Sequence, residues 1–510
     1  MAIRFSWQPG LASLFDDSVS YLLMAQSFSP FDSADFVVLE AAGRERYPPL
    51  FPFLLAISNG AFDWHLAHAV VAACFGASVF LLGVHTRAIS GSGRLAVAAA
   101  IIYVILPGTW LNLKGILSEF PYMALTFAAL AIHQHRRDKP PEAKSSVALG
   151  LMLAAVLLTR SVGVTLVAAV AIDEGLNYLR RREKTRLLSV SLALAFPLIA
   201  GALWFALRPA GGGEDPYESA WTLLSISVNA SALVDAWLNA LLIYWGEPWM
   251  PTFVGACAIG LAGLGATLWR AFHGKSDGLY CVLYLLVLLS WPFPGQMYRL
   301  AFPIVPLLIV NALWGVRQQI GLNWGVAAAE RWTPAGVLLP LALCVPALFF
   351  IATRASATEE AGAGHALADI TEFYRIPDWR SAVGTATMEI EVLEDMERIR
   401  ASTPESSRVM WFVPGYMALL ANRRGAPLER SANAAALEKQ VLDSRANYIY
   451  LANVHPRDSR LRHGNPLDDW PNARGFTQLI WRRGGPNGQV YAVLLKVDRD
   501  RIERDMGTIP

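Results

Sequence analysis

Apolar residues run in long stretches through the first two thirds of the chain. A hydrocarbon layer of ~30 Å divided by a rise of about 1.5 Å per residue sets a spanning helix at about 20 apolar residues. Stretches that meet this length, or nearly so, cover 64–86, 95–111, 116–134, 187–207, 250–270, 278–293, 300–317 and 334–353. Residues 145–178 read instead as two shorter apolar helices broken at Thr159-Arg160-Ser161. An Arg at the centre of a spanning helix costs about 2.5–3.5 kcal/mol on insertion scales, so Arg160 either faces a cavity or partner, or ends a helix and snorkels to the headgroups. The pattern predicts a polytopic α-helical membrane protein with about ten transmembrane helices.

Beyond residue 353 the pattern changes. Helix-like segments at Glu389 to Arg400 and Ala432 to Leu442 alternate with strand-like ones at Arg408 to Val413, Tyr448 to Leu451 and Val490 to Val497. This is the signature of a small sheet with helices on it. Two domains follow: 1–353, transmembrane with an external N-terminal loop, and 354–510, a soluble α/β domain.

Composition agrees, with 54% apolar residues and 17 Trp. Charge is divided unevenly: residues from Arg354 onward hold 21 of the 43 Lys plus Arg and 21 of the 41 Asp plus Glu. Each part is near neutral, so neither carries the basic face that a nucleic-acid partner requires. The four cysteines, Cys74, Cys257, Cys281 and Cys344, lie far apart inside apolar runs and show neither zinc spacing nor a disulfide framework. The segments His133 to Lys144 and Arg180 to Arg186 together hold nine Lys and Arg. Basic loops stay on the cytoplasmic side. Alternation then puts the first 60 residues, the Asn112 to Glu119 turn, the 209–249 loop, the Gln296 to Arg299 turn and the C-terminal domain outside. Tyr244 to Trp249 reads as an aromatic belt at the interface.

Two adjacent carboxylates, Asp16 and Asp17, stand just ahead of an amphipathic segment at the expected membrane surface. Such a pair can take a proton from a hydroxyl nucleophile and hold a divalent cation. Either residue can equally cap the helix that follows.

The segment Asp16-Asp17-Ser18-x-x-Tyr21-x-x-x-Ala25 is followed by Arg46-Tyr47-Pro48-Pro49-Leu50-x-Pro52. Further along come Leu117-Ser118-Glu119-x-Pro121-Tyr122 and Met297-Tyr298-Arg299-Leu300-x-x-Pro303-x-x-Pro306. The tail adds Ser402 to Glu405, Asn422 to Pro427 and Asn447 to Leu451. In order and spacing these motifs resemble the GT-C fold glycosyltransferases that use polyprenyl-phosphate sugars, among them aminoarabinose transferases and protein O-mannosyltransferases. The resemblance implies an acidic residue in the first external loop, acting as general base or metal contact, and a second acidic residue in the next. Asp16 and Asp17 match the first position and Glu119 the second.

The implied donor is a sugar on a lipid phosphate, and its leaving group is an anion that needs cations. Arg299 is the first candidate, with Lys114, Arg160 and Arg46 behind it, and Tyr47, Pro48 and Pro49 form the loop beside the acceptor. Members of the family start with a transmembrane helix ahead of the Asp motif, so about 20 apolar residues are expected upstream of Met1. The resulting expectation is a transferase moving a sugar to an acceptor hydroxyl on the external face. Two other classes compete with it: a lipid or solute transporter built around Arg160, and a non-catalytic assembly protein displaying its tail. The sugar, the acceptor and any metal are not named by these residues.

Overall fold

The computed structural model describes residues 16–113, 115–137, 142–182, 184–207, 226–242, 250–292, 294–332, 335–360, 379–429, 433–452, 466–484 and 488–507. Three short helices, Asp16–Phe28, Phe36–Ala42 and Leu50–Ile57, precede the first long one, Trp64–Ser90. Asp63 caps that helix by accepting from the His65 amide at 2.9 Å, and Gly91 ends it in the left-handed conformation at φ 69°.

Among the described residues five helices are long and apolar enough to cross a membrane: Trp64–Ser90, Ser161–Arg180, Leu187–Leu207, Met250–Phe272 and Pro294–Trp324. Ala143–Thr159, Ser276–Leu289 and Leu338–Phe349 are apolar but shorter. The expected figure of about ten is reached only if these, the Glu119–Arg137 helix and a bent pair cross as well. The bent pair corrects the expected single run over 95–111. Gly93–Ile105 and Pro107–Leu113 meet at 58° because Leu106, next to a proline, is pushed to an extended ψ of 123°.

The break expected at Thr159-Arg160-Ser161 is present. Arg160 adopts φ −149° and ψ 134°, ending Ala143–Thr159 and starting the turn into Val164–Arg181. The segment 209–249, expected as a loop, contains a helix at Ile226–Leu241. Polar residues interrupt it and it is too short for the span criterion, but it is anchored by Asn229, whose amide donates to the Leu289 and Trp291 carbonyls at 2.8 and 2.7 Å. The expected belt at 244–249 lies outside the described residues.

The tail holds a five-stranded sheet of order β2-β1-β3-β5-β4, with β1 at Arg408–Trp411, β2 at Arg424–Pro427, β3 at Tyr448–Ala452, β4 at Thr477–Gly484 and β5 at Val490–Val497. β1 pairs parallel with β2 and β3, and β5 pairs antiparallel with β3 and β4. Strand β4 is not marked by an apolar pattern because it lies along the half-exposed edge of the sheet with no fully buried position, and Arg482 and Arg483 stand in the run.

The sheet stands on the N-terminal helices. Arg424 Nε donates to Glu40 at 2.8 Å, and Asn422 donates to Asp35 at 2.9 Å. A Cβ on Gly415 would lie 2.9 Å from Val19, so the tail backbone reaches the first helix with no space to spare. One core of buried residues therefore runs from Val19 and Leu22 through Phe51, Phe75 and Phe302 to Trp411 and Tyr416.

Candidate functional site

Four separate segments deliver charged side chains to one place. Asp17 sits in the first turn of Asp16–Phe28 and Glu119 in the first turn of Glu119–Arg137. Arg160 comes from the extended break between two helices, and Arg299 from the single turn Met297–Leu300. Helix starts and breaks are where side chains leave a bundle with unpaired backbone groups beside them, which suits polar clustering.

Arg299 bridges the two acids. Its Nη2 donates to Asp17, and its Nε lies 3.2 Å from Glu119. Arg160 Nη1 is 2.6 Å from the same Glu119 oxygen and donates to Ser118 Oγ at 3.4 Å. Ser118 in turn shares a 2.9 Å hydrogen bond with the Tyr21 hydroxyl. The Tyr47 hydroxyl donates to the second Asp17 oxygen at 2.5 Å. Tyr21 holds that loop by edge-on contact with Tyr47 and Phe51, each at 5.0 Å between ring centres. The acids differ in access: the Glu119 side chain is 1% exposed and that of Asp17 is 20%.

Burial by itself raises the Asp17 pKa, but the Arg299 charge, the Tyr47 and Arg299 hydrogen bonds and the Arg160 charge outweigh it and hold the carboxyl below its ordinary value. Tyr21 is pushed well above the phenol range by burial and by the charge of Asp17, so its hydroxyl stays neutral. Glu45, half-buried in the same loop, is raised to about 7 by burial, against the pull of a Ser20 hydrogen bond and with the Asp17 charge adding to the rise.

The structure thus brings together Asp17, Glu119, Arg160, Arg299 and Tyr47. Arg46 is exposed, Pro48 is buried, and Pro49 leads into Leu50–Ile57. The Asp16 side chain and Lys114 lie outside the described residues. Ser118, Tyr21 and Glu45 belong to the cluster without having been assigned a role from sequence. For Tyr21 the signal was present, four residues after Asp17 and so on the same helix face. Glu45 offered none, since its side chain meets Ser20 from a separate helix.

Among the described residues no group of three or more His, Cys, Asp or Glu is placed to hold a metal ion. The two acids described here are each engaged by arginine instead.

No family model matches the sequence, and neither does any curated protein. Solved structures do match. ArnT from Cupriavidus metallidurans in the apo state is similar at 13% identity over 97% of this chain and 95% of that one, with a TM-score of 0.52. The same protein bound to undecaprenyl phosphate matches at 12% identity, with the same coverage and TM-score. The oligosaccharyltransferase of Archaeoglobus fulgidus in complex with zinc and sulfate matches at 13% identity over 96% of this chain and 70% of that one, with a TM-score of 0.51. These likenesses establish the fold: the chain has the GT-C fold of membrane glycosyltransferases.

Proposed function

We propose that the chain is a membrane glycosyltransferase that moves a sugar from a polyprenyl-phosphate donor to an acceptor hydroxyl on the external face of the membrane. The observation that supports this most directly is the convergence of Asp17, Glu119, Arg160 and Arg299 from four segments onto one cluster. ArnT, of the same fold, is a protein that binds undecaprenyl phosphate.

In this reading the acceptor oxygen attacks the anomeric carbon while the bond from that carbon to the phosphate oxygen breaks. The electron pair leaves with polyprenyl phosphate, and the hydroxyl proton passes to Asp17. A single displacement inverts the anomeric centre. Arg299 receives the departing phosphate, because guanidinium can hold two phosphate oxygens in its planar fork.

The resting ion pairs give the cycle an order. While Arg299 is paired with Asp17 the carboxylate is a poor proton acceptor. An arriving phosphate draws Arg299 away, and a carboxylate that loses its cation gains proton affinity. Glu119, buried between Arg160 and Arg299, keeps both guanidiniums at the site. Lys114, Arg46 and the Tyr47-Pro48-Pro49 loop are assigned supporting places around donor and acceptor. A divalent cation at Asp16 and Asp17 enters no step of this scheme. The soluble α/β domain, taken as residues 354–510, stands on the external side because the basic loops at 133–144 and 180–186 are held inside.

Purified protein supplied with a panel of polyprenyl-phosphate sugars should release free lipid phosphate from at least one of them. Absence of release from every donor, with any acceptor tried, would overturn the reading. A reporter fused after residue 510 should be active outside the cytoplasm, and activity inside would separate the tail from the proposed reaction side.

A further inference from the structure

The end of the helical body remote from this site has a cavity that the transferase reading leaves unused. Glu119 and Arg137 lie at opposite ends of one helix, about 27 Å apart at 1.5 Å per residue. Arg137 donates to the Gly274 carbonyl at 3.3 Å, and Lys275 follows directly. Beside Lys275 opens a cavity of about 940 Å³ between the helices Met250–Phe272 and Val305–Trp324. Its size is that of a pocket for a substantial ligand, whose usual range is about 300–1,000 Å³.

Three features specify what fits. The charged residues lining it are Arg270 and Lys275, and no acidic residue is among the described lining residues. Arg270 is fixed there: Asp277 receives its Nε and Nη2 at 2.8 and 2.9 Å, and its guanidinium lies 4.7 Å from the centre of the Trp314 ring. The Trp314 indole nitrogen is buried and meets no acceptor among the described residues, although the residue lines the cavity and is only 8% exposed. A buried donor without a partner is unfavourable, so an acceptor brought by a ligand is favoured. The walls combine small residues such as Ala262, Gly265 and Gly315 with the amides of Gln134, Gln318, Gln319 and Asn323, and they run out to Leu322 and Trp324, which are 78% and 70% exposed. An opening edged by outward-facing Leu and Trp on a spanning helix suits acyl chains and the headgroup boundary.

We infer that this cavity binds an anionic glycerophospholipid from the leaflet opposite the candidate transferase site, with the headgroup phosphate between Trp314 and Lys275 and the acyl chains leaving past Leu322 and Trp324. Lys275 supplies the charge complement, since Arg270 is already paired with Asp277, and the indole N–H supplies the directional bond to a phosphate oxygen. The distribution of basic loops makes this the cytoplasmic leaflet, which is the anionic one.

The test is native mass spectrometry of the full chain, delipidated in mild detergent and titrated with phosphatidylglycerol, phosphatidylcholine or inorganic phosphate. The parent should retain one phosphatidylglycerol about tenfold more tightly than phosphatidylcholine, because the two share the phosphate and only phosphatidylglycerol has a net charge for Lys275 to meet. Lys275→Gln should remove most of that preference, and Trp314→Phe should weaken retention of both lipids, since each offers the indole a phosphate oxygen. Gly265→Leu should abolish retention, because a Cβ at Gly265 meets no atom within 4 Å and the added side chain fills the cavity without a clash at its root. Thermal melting of each variant confirms that it is folded. Equal retention of both lipids by the parent would overturn the inference. So would unchanged phosphatidylglycerol binding in folded Gly265→Leu and Trp314→Phe, or displacement of the lipid by millimolar inorganic phosphate, which would make this a site for the free anion. None of these residues touches the candidate transferase site, so the outcome is independent of that reading.

Discussion

The molecule buries charge at both ends of its helical body, and the two clusters are built differently. At one end Asp173 accepts from His133 and Asn177, both at 2.9 Å, and from the Ser276 amide at 3.2 Å, with Arg137 at 3.2 Å. Arg270 and Asp277 close on each other through two bonds nearby. The His133, Asp173 and Arg270 side chains come from within long helices, and Asp277 from the first turn of Ser276–Leu289. At the other end two arginines share two acids, and hydroxyls from Tyr47, Ser118 and Tyr21 fill in around them. There the side chains come from helix starts, a break and a single turn.

Buried charge by itself therefore does not mark a reactive site. A closed bidentate pair has spent its hydrogen-bonding capacity on its partner and holds helices together. A bridging arginine on a short turn can exchange one anion for another.

The largest expected effect tests this directly. Arg299→Ala should lower the release of lipid phosphate by about a hundredfold to a thousandfold, as for loss of a principal anion-stabilising donor, in protein that still inserts. Asp17→Asn should lower it by about a hundredfold or more, since Asn caps a helix about as well as Asp but is no base. Near-parental turnover in both variants would make this end structural too.

The opposite cluster should respond in stability. Asp173→Asn leaves Arg137 without its buried anion and His133 with Glu174 alone, and should lower stability by about 3–5 kcal/mol, read from thermal melting in detergent. Turnover per folded molecule should stay near parental. A loss in turnover as large as that of Asp17→Asn would erase the distinction between the two ends.

Arg299→Lys sharpens the comparison on a smaller scale. Lysine keeps the charge but cannot bridge Asp17 and Glu119 through a planar fork, so turnover should fall by about tenfold while melting changes little. If Arg299 merely anchors its helix, the Lys variant will turn over donor like the parent.

The smallest effect concerns Glu45. Its folded-state pKa, about 7, is raised above the ordinary 4.5, so the folded chain holds the extra proton between these values. Stability from this group therefore falls as pH rises through that window, and Glu45→Gln should flatten the slope. A melting profile with the same slope in parent and variant would show that Glu45 is solvated.

Runs of about 20 apolar residues have few solutions other than helices in a membrane, so that much is legible in the sequence. The sequence also marks the break at Arg160, where a charge in an apolar run cannot remain unpartnered. Strands β1, β3 and β5 were legible as short apolar runs, and the order of motifs carried the fold. The bend at Leu106 follows from the proline after it, whereas only tertiary packing set the half-exposed helix Ile226–Leu241 and the half-exposed strand β4. In each of these a local rule or a long-range anchor overrides the hydropathy average. Tertiary packing alone set the site as well. The sequence nominated Asp17, Glu119, Arg160 and Arg299 singly, but whether a guanidinium meets one carboxylate or bridges two depends on separations of a few ångströms between segments up to 282 residues apart. Those separations are fixed by packing of the whole bundle, which no local pattern encodes.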